Sequence, residues 1–216
     1  MKTITVLSDK GGVGKTFAAV VLAQLFQIAG KRVAVVDTDT QLNAVDLLRR
    51  MDGAPVFQRV EVFASPAKLP DLGKLERLGF DLAIIDTPPE IVANKVLKPV
   101  LEKTDLFIVP LVLNRHSLFA VENTLALLPA GRPVLPVCSV NASTAKTKDK
   151  AMLLELVKDK LGQRDGDVRA VVFLPYFQRV ESNLSARRDF FVRLTEKEYE
   201  HFEKFYEAAR RALAGK

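Results

Sequence analysis

Nine consecutive residues constrain this chain more than any others: Ser8-Asp9-Lys10-Gly11-Gly12-Val13-Gly14-Lys15-Thr16. They follow a strand-like run, Thr3–Leu7, and lead at once into a helical pattern over Phe17–Ala29. Glycines at 11, 12 and 14 let backbone N–H groups turn inward, and a helix N-terminus adds positive potential. Strand, turn and helix start together make an anion site. In a loop of this form Lys15 is expected to reach the β- and γ-phosphates of a nucleotide and the Thr16 hydroxyl to ligate Mg²⁺. The loop departs from G-x-x-x-x-G-K-[ST] in two ways. Asp9 stands at the first glycine, and Lys10 supplies a second lysine.

Two further stretches carry carboxylates at strand ends. A run over Arg32–Val36 leads into Asp37-Thr38-Asp39-Thr40-Gln41-Leu42-Asn43-Ala44, and Phe80-Asp81-Leu82-Ala83-Ile84-Ile85 leads into Asp86-Thr87-Pro88-Pro89. Acids at the C-terminal ends of strands lie in the crevice where open α/β sheets bind ligands. One of Asp37 and Asp39 could be a helix N-cap, but capping does not account for both together with Gln41. Four apolar residues before Asp86 are expected to place that carboxylate beside Mg²⁺, commonly through water.

Other apolar runs lie at Val60–Phe63, Leu106–Val109, Val134–Val140 and Arg169–Phe173, with helical patterns at Ile91–Glu102, Ser117–Leu128 and Ala145–Leu161. Strands alternating with helices, several of them near-continuously apolar, predict a mostly parallel twisted sheet flanked by helices on both faces. No repeat or linker interrupts residues 1–216, so one domain is expected.

The three motifs, in order and spacing, resemble the deviant phosphate-loop ATPases of the ParA/MinD family, with the layout of small ParA-type partition ATPases. The K-G-G-x-G-K-T loop, the D-x-D-x-Q segment and the D-x-P-P strand end carry the resemblance. It implies an ATPase that uses ATP and Mg²⁺ and closes as a homodimer around nucleotide. Lys10 would act across the dimer and Lys15 within its own subunit. Asp39 would orient the attacking water and share the metal's water shell with Thr16 and Asp86, and Asp37 would support the loop. Lys10, Gly11, Gly12, Val13, Gly14, Lys15, Thr16 and Phe17 would form the nucleotide site. Asn141 would contact adenine, though a plain turn role serves equally well, and Pro175 would flank the base. Thr40 and Leu42 depart from the proline and glycine usual in that segment.

The loop begins within ten residues of Met1, which fits the branch without a helix-turn-helix module. That branch implies non-specific DNA binding as an ATP dimer and a ParB-like activator. Arg179, Arg187, Arg188, Arg193, Lys197, Lys204, Arg210 and Arg211 are the candidates for DNA contact, each also readable as a solvated surface charge. The net charge of +6 leans that way: residues 141–216 hold 16 Lys/Arg against 12 Asp/Glu. A MinD-like membrane cycle, a DNA-transfer accessory ATPase and a metabolic ligase on the same fold are the alternatives. Thr195 with Glu198 predicts a capped last helix with Tyr199, Phe202, Tyr206, Ala209 and Leu213 on one face. Docking on the core is expected of it in preference to membrane anchoring, because acids and bases mix on its polar face.

A cytoplasmic protein, nucleoid-associated when ATP-bound, is expected. No secretory signal opens the sequence, and the longest apolar run, Leu106 to Leu113, is short of the roughly 20 residues that span a bilayer. The single Cys138 argues against a disulfide framework and against a cysteine-ligated cluster within one chain.

Overall fold

The computed structural model describes residues 1–50, 59–66, 70–89, 98–112, 115–141, 155, 171–176, 191 and 194–215. In chain order the elements are β1 (Lys2–Val6), α1 (Lys15–Ile28), β2 (Val33–Asp37), α2 (Asn43–Arg50), β3 (Val60–Ala64) and α3 (Leu72–Arg77). There follow β4 (Leu82–Asp86), α4 (Lys98–Lys103), β5 (Leu106–Val112), α5 (Arg115–Ala126), β6 (Val134–Asn141), β7 (Val172–Tyr176) and α6 (Glu196–Leu213). The strands form one sheet in the order β3-β2-β4-β1-β5-β6-β7, and every pairing is parallel.

The near-continuous apolar runs are explained by burial on both faces. Along β2, Val33 and Val35 enter one core cluster while Ala34 and Val36 enter another. The same alternation divides Leu82 and Ile84 from Ala83 and Ile85 in β4. In β5 it divides Leu106 and Ile108 from Phe107 and Val109. A period of two with both sets buried is what a sheet covered by helices on each side requires. On one side α1 and α6 fill the core, and α1 is buried along most of its length, from Ala18 to Phe26. The other side is closed by α5 against β5 and β6, and by α3 and α4 against β2 and β4.

The last helix docks on this core, as its mixed polar face suggested. Phe202, Phe205, Ala209 and Ala212 are buried with α1, and Tyr206 meets the Phe26 ring edge-on at 5.1 Å. Its N-terminus carries the expected reciprocal cap: Glu198 N–H donates to Thr195 Oγ1, and Thr195 N–H donates to Glu198 Oε2. No helix among the described residues is long and apolar enough to cross a membrane.

Some boundaries differ from the sequence expectation. The last strand spans Val172–Tyr176 in place of Arg169–Phe173, and β6 extends through Asn141. Pairing of β6 with β7, Val140 to Pro175 and Asn141 to Tyr176, draws these residues into the sheet. The predicted loop position of Pro175 and the turn position of Asn141 are therefore corrected to strand ends. Residues 145–161 lie outside the described residues apart from Glu155, as do residues 91–97 of the Ile91–Glu102 helix.

Candidate functional site

Three adjacent strands, β2, β4 and β1, deliver the three motifs to one end of the sheet. The registers Asp37↔Asp86 and Val6↔Asp86 bring their C-terminal ends level. Short hydrogen bonds then stitch them together. Thr38 N–H and Oγ1–H both donate to the Asp86 carbonyl, at 2.9 and 2.8 Å, and Thr87 Oγ1–H donates to the Val6 carbonyl at 3.0 Å. The site is set by sheet pairing and not by flexible loops alone.

The glycine-rich turn passes directly into α1. Gly14 takes φ 93° and caps the helix with no side-chain hydrogen bond, and no acid occupies the first turn. The first-turn N–H groups and the positive end of the helix dipole are thereby left for an anion. Gly12 also has positive φ, 72°. Gly11 does not, and a Cβ built on either would meet no atom within 4 Å. The turn opens onto a cleft of about 470 Å³ lined by Gly11, Gly12, Gly14, Lys15, Thr16, Phe17, Asp39, Gln41, Asn43 and Pro89.

Lys15 is nearly buried, and its ammonium donates to the Lys10 carbonyl at 3.2 Å. Desolvation lowers its pKa, and the charges of Asp86, Asp39 and Asp9 oppose that shift. Thr16 Oγ1–H donates to Asp86 Oδ2 at 2.7 Å. Burial pushes the Asp86 carboxyl up to about 7; the Thr16 hydrogen bond counteracts this in part. The other oxygen, Oδ1, is buried and accepts no hydrogen bond among the described residues. A spare buried carboxylate oxygen beside a threonine hydroxyl fits a hard divalent cation. No cluster of three or more His, Cys, Asp or Glu suited to a metal occurs among the described residues. Such a cation would thus depend on phosphate oxygens and water for the rest of its shell, as Mg²⁺ commonly does.

The two aspartates of the second motif divide their work. Asp37 is fully buried, and its Oδ2 accepts from Ala44 N–H at 2.8 Å and Val45 N–H at 3.1 Å. It caps α2 from the end of the neighbouring strand, while desolvation raises its pKa. Asp39 reaches the cleft, with Oδ1 held by Gln41 N–H at 3.0 Å. Leu42 takes φ 52° at the position where glycine is usual, so the segment turns through the left-handed region without glycine. Gln41 and Asn43, joined by a 3.3 Å hydrogen bond, and Pro89 line the cleft although sequence reasoning had not assigned them to the site. Their place inside the two carboxylate motifs was the available signal.

The remaining predicted residues are dispersed. Val13 is buried within the turn, and Lys10 is partly exposed at its start. Asn141 is the last residue of β6 and Pro175 the last but one of β7, and these strands lie two and three places from β1 in the sheet. Lys197, Lys204, Arg210 and Arg211 are exposed on α6. Lys204 pairs with Glu200 at 2.7 Å, and Arg210 and Arg211 pair with Glu207 at 2.7 and 3.8 Å. Arg179, Arg187, Arg188 and Arg193 lie outside the described residues.

Residues 4–151 match the family described as the CobQ/CobB/MinD/ParA nucleotide binding domain. Protein IncC of Escherichia coli is 29% identical over 163 residues, covering 59% of this chain and 45% of IncC. The maintenance of carboxysome distribution protein A of Gloeobacter kilaueensis is 33% identical over 132 residues, covering 60% of this chain and 59% of that protein. The matches therefore span about half the length of these relatives. Among solved structures, the ATP complex of a Cyanothece McdA variant superposes with a TM-score of 0.71 at 17% identity, over 97% of this chain and 96% of that one. At that identity the likeness concerns the fold.

Proposed function

The chain belongs to the CobQ/CobB/MinD/ParA nucleotide-binding family, and from that premise we propose that it is a Mg²⁺-dependent ATPase whose ATP-bound dimer rides on DNA to position a cargo. The observation that carries the reading is a cleft lined by the glycine turn, Lys15, Thr16 and Asp39, with the buried Asp86 carboxylate hydrogen-bonded to Thr16. Relatives named for chromosome partitioning and for carboxysome distribution support a positioning role over a metabolic one.

The chemistry follows from the residues. Backbone N–H groups of the turn and of the α1 start bind the phosphate oxygens. Lys15, already desolvated in the cleft, neutralises the β- and γ-phosphates, which in turn hold its ammonium protonated. Lys10 reaches the nucleotide of the second subunit, so closure of the dimer depends on the γ-phosphate. Thr16 and Asp86 would hold Mg²⁺, which would supply charge neutralisation at the phosphates. Asp39, its carboxylate fixed by the Gln41 amide, orients water in line with the γ-phosphate. Catalysis is positioning and electrostatics around a loose transition state. Hydrolysis, speeded by a ParB-like partner, opens the dimer and releases it from DNA.

Binding of non-specific duplex DNA tests the proposal, measured without nucleotide, with ADP, with ATP and with a slowly hydrolysed analogue over a salt series. Binding only with triphosphate, weakening steeply with salt, is expected. Absence of binding in every state at low salt would sink the DNA-riding part.

A further inference from the structure

We propose that Thr124 of α5 is a positioning residue for the phosphate loop, acting through the Asp9 amide on the placement of Lys10 and Lys15; this rests on the nucleotide-binding reading above. Thr124 is fully buried and lies 115 residues along the chain from Asp9. Its hydroxyl donates to the Ala120 carbonyl one helical turn earlier, at 2.6 Å. With its proton committed there, the oxygen accepts the Asp9 N–H at 3.0 Å.

That bond meets the chain where the sheet lets go of it. The β1 ladder ends with Leu7 N–H donating to the Ile108 carbonyl at 3.0 Å. Asp9 follows two residues later, at the position where the standard loop has glycine. Beyond it, Lys10 N–H donates to Ser8 Oγ at 3.4 Å, and the Lys10 carbonyl receives the Lys15 ammonium at 3.2 Å. Thr124 thus fixes the Ser8–Asp9 peptide, one unit ahead of Lys10, and the Lys10 carbonyl holds the charged end of Lys15. The local Ala120 contact satisfies the hydroxyl's own proton, so the Asp9 bond serves the loop and not the helix. Removing the oxygen leaves a part-buried N–H without this partner and frees the loop entry.

Equilibrium titration of the whole chain with a fluorescent ATP analogue and Mg²⁺ tests this, on wild type, T124V, T124S and T104V. Thr104 is a control: its buried hydroxyl bonds Thr5 and the Val100 carbonyl, away from the loop. Affinity is expected to fall about tenfold in T124V, the scale of a lost buried hydrogen bond, and to stay within about twofold of wild type in T124S. T104V should lower thermal stability while keeping wild-type affinity. Wild-type affinity in T124V, or an equal loss in T104V, overturns the proposal. If T124V does not fold, T124A against T124S carries the same comparison, and equal affinities overturn it. A wild-type chain that binds no nucleotide instead sinks the reading on which the proposal rests.

Discussion

Gly11 takes an ordinary backbone angle, and a Cβ built there would meet nothing within 4 Å, so neither strain nor packing inside the chain demands glycine. The demand must come from what approaches the turn. Gly11→Ala is therefore expected to leave thermal stability unchanged or raised by about 0.4–1 kcal/mol, while ATP affinity falls at least about tenfold, roughly 1.4 kcal/mol. Calorimetric melting and nucleotide titration separate the two effects. Asp86 makes a second residue-scale prediction. Its carboxyl stands at about 7 against an ordinary 3.8, because burial penalises the charged form. Below pH 3.8 it is protonated folded or unfolded. Between the two values only the unfolded chain releases the proton, so metal-free stability falls as pH rises toward 7 and levels off above. Asp86→Asn should lose that part of the slope in denaturation series run at several pH values; an unaltered slope would contradict the assignment.

Elements differ in how openly the sequence declares them. The last helix announces itself through Thr195, Glu198 and apolar residues at helical spacing, and the structure places its cap and buried face accordingly. Thr195→Ala should cost about 1 kcal/mol and Phe205→Ala about 3–5 kcal/mol, both read by urea unfolding. A Phe205→Ala loss under 1 kcal/mol would argue against docking on the core. Helix α2 is opposite in kind. Its cap is Asp37, one of the two aspartates read as a possible N-cap, but it sits at the end of β2 and not next to Asn43, so it does not mark where the helix starts. Helix α3 spans six residues, too few for a periodic pattern to stand out, although Asp71 caps it at 2.9 Å. At the end of β7 the obstacle was pairing: only the partner strand shows that Pro175 continues the sheet. Leu42 shows a limit of another sort. Leucine gives no sign of a left-handed turn, and its φ of 52° carries a cost of about 1–2 kcal/mol that glycine would avoid.

For the molecule as a whole, the legible part was which side chains meet at the strand ends. Lys15, Thr16, Asp39 and Asp86 could be named from the chain because each motif fixes residue type and order, and parallel pairing of β2, β4 and β1 then leaves them one place to meet. Surface roles were not legible, since a basic side chain serves phosphate or solvent alike. On α6, Lys204, Arg210 and Arg211 are engaged by Glu200 and Glu207, an arrangement that any exposed helix could adopt. In the proposed function, dimer closure by the γ-phosphate through Lys10 joins the site to a biological role. The direct test is solution mass by light scattering with no nucleotide, ADP, or a slowly hydrolysed ATP analogue plus Mg²⁺. Nucleotide binding of Lys10→Ala is measured alongside. The account predicts a monomer without triphosphate, a dimer with it, and a Lys10→Ala chain that binds nucleotide yet stays monomeric. A triphosphate-loaded wild type that remains monomeric, or a Lys10→Ala chain that dimerises as wild type does, would contradict it.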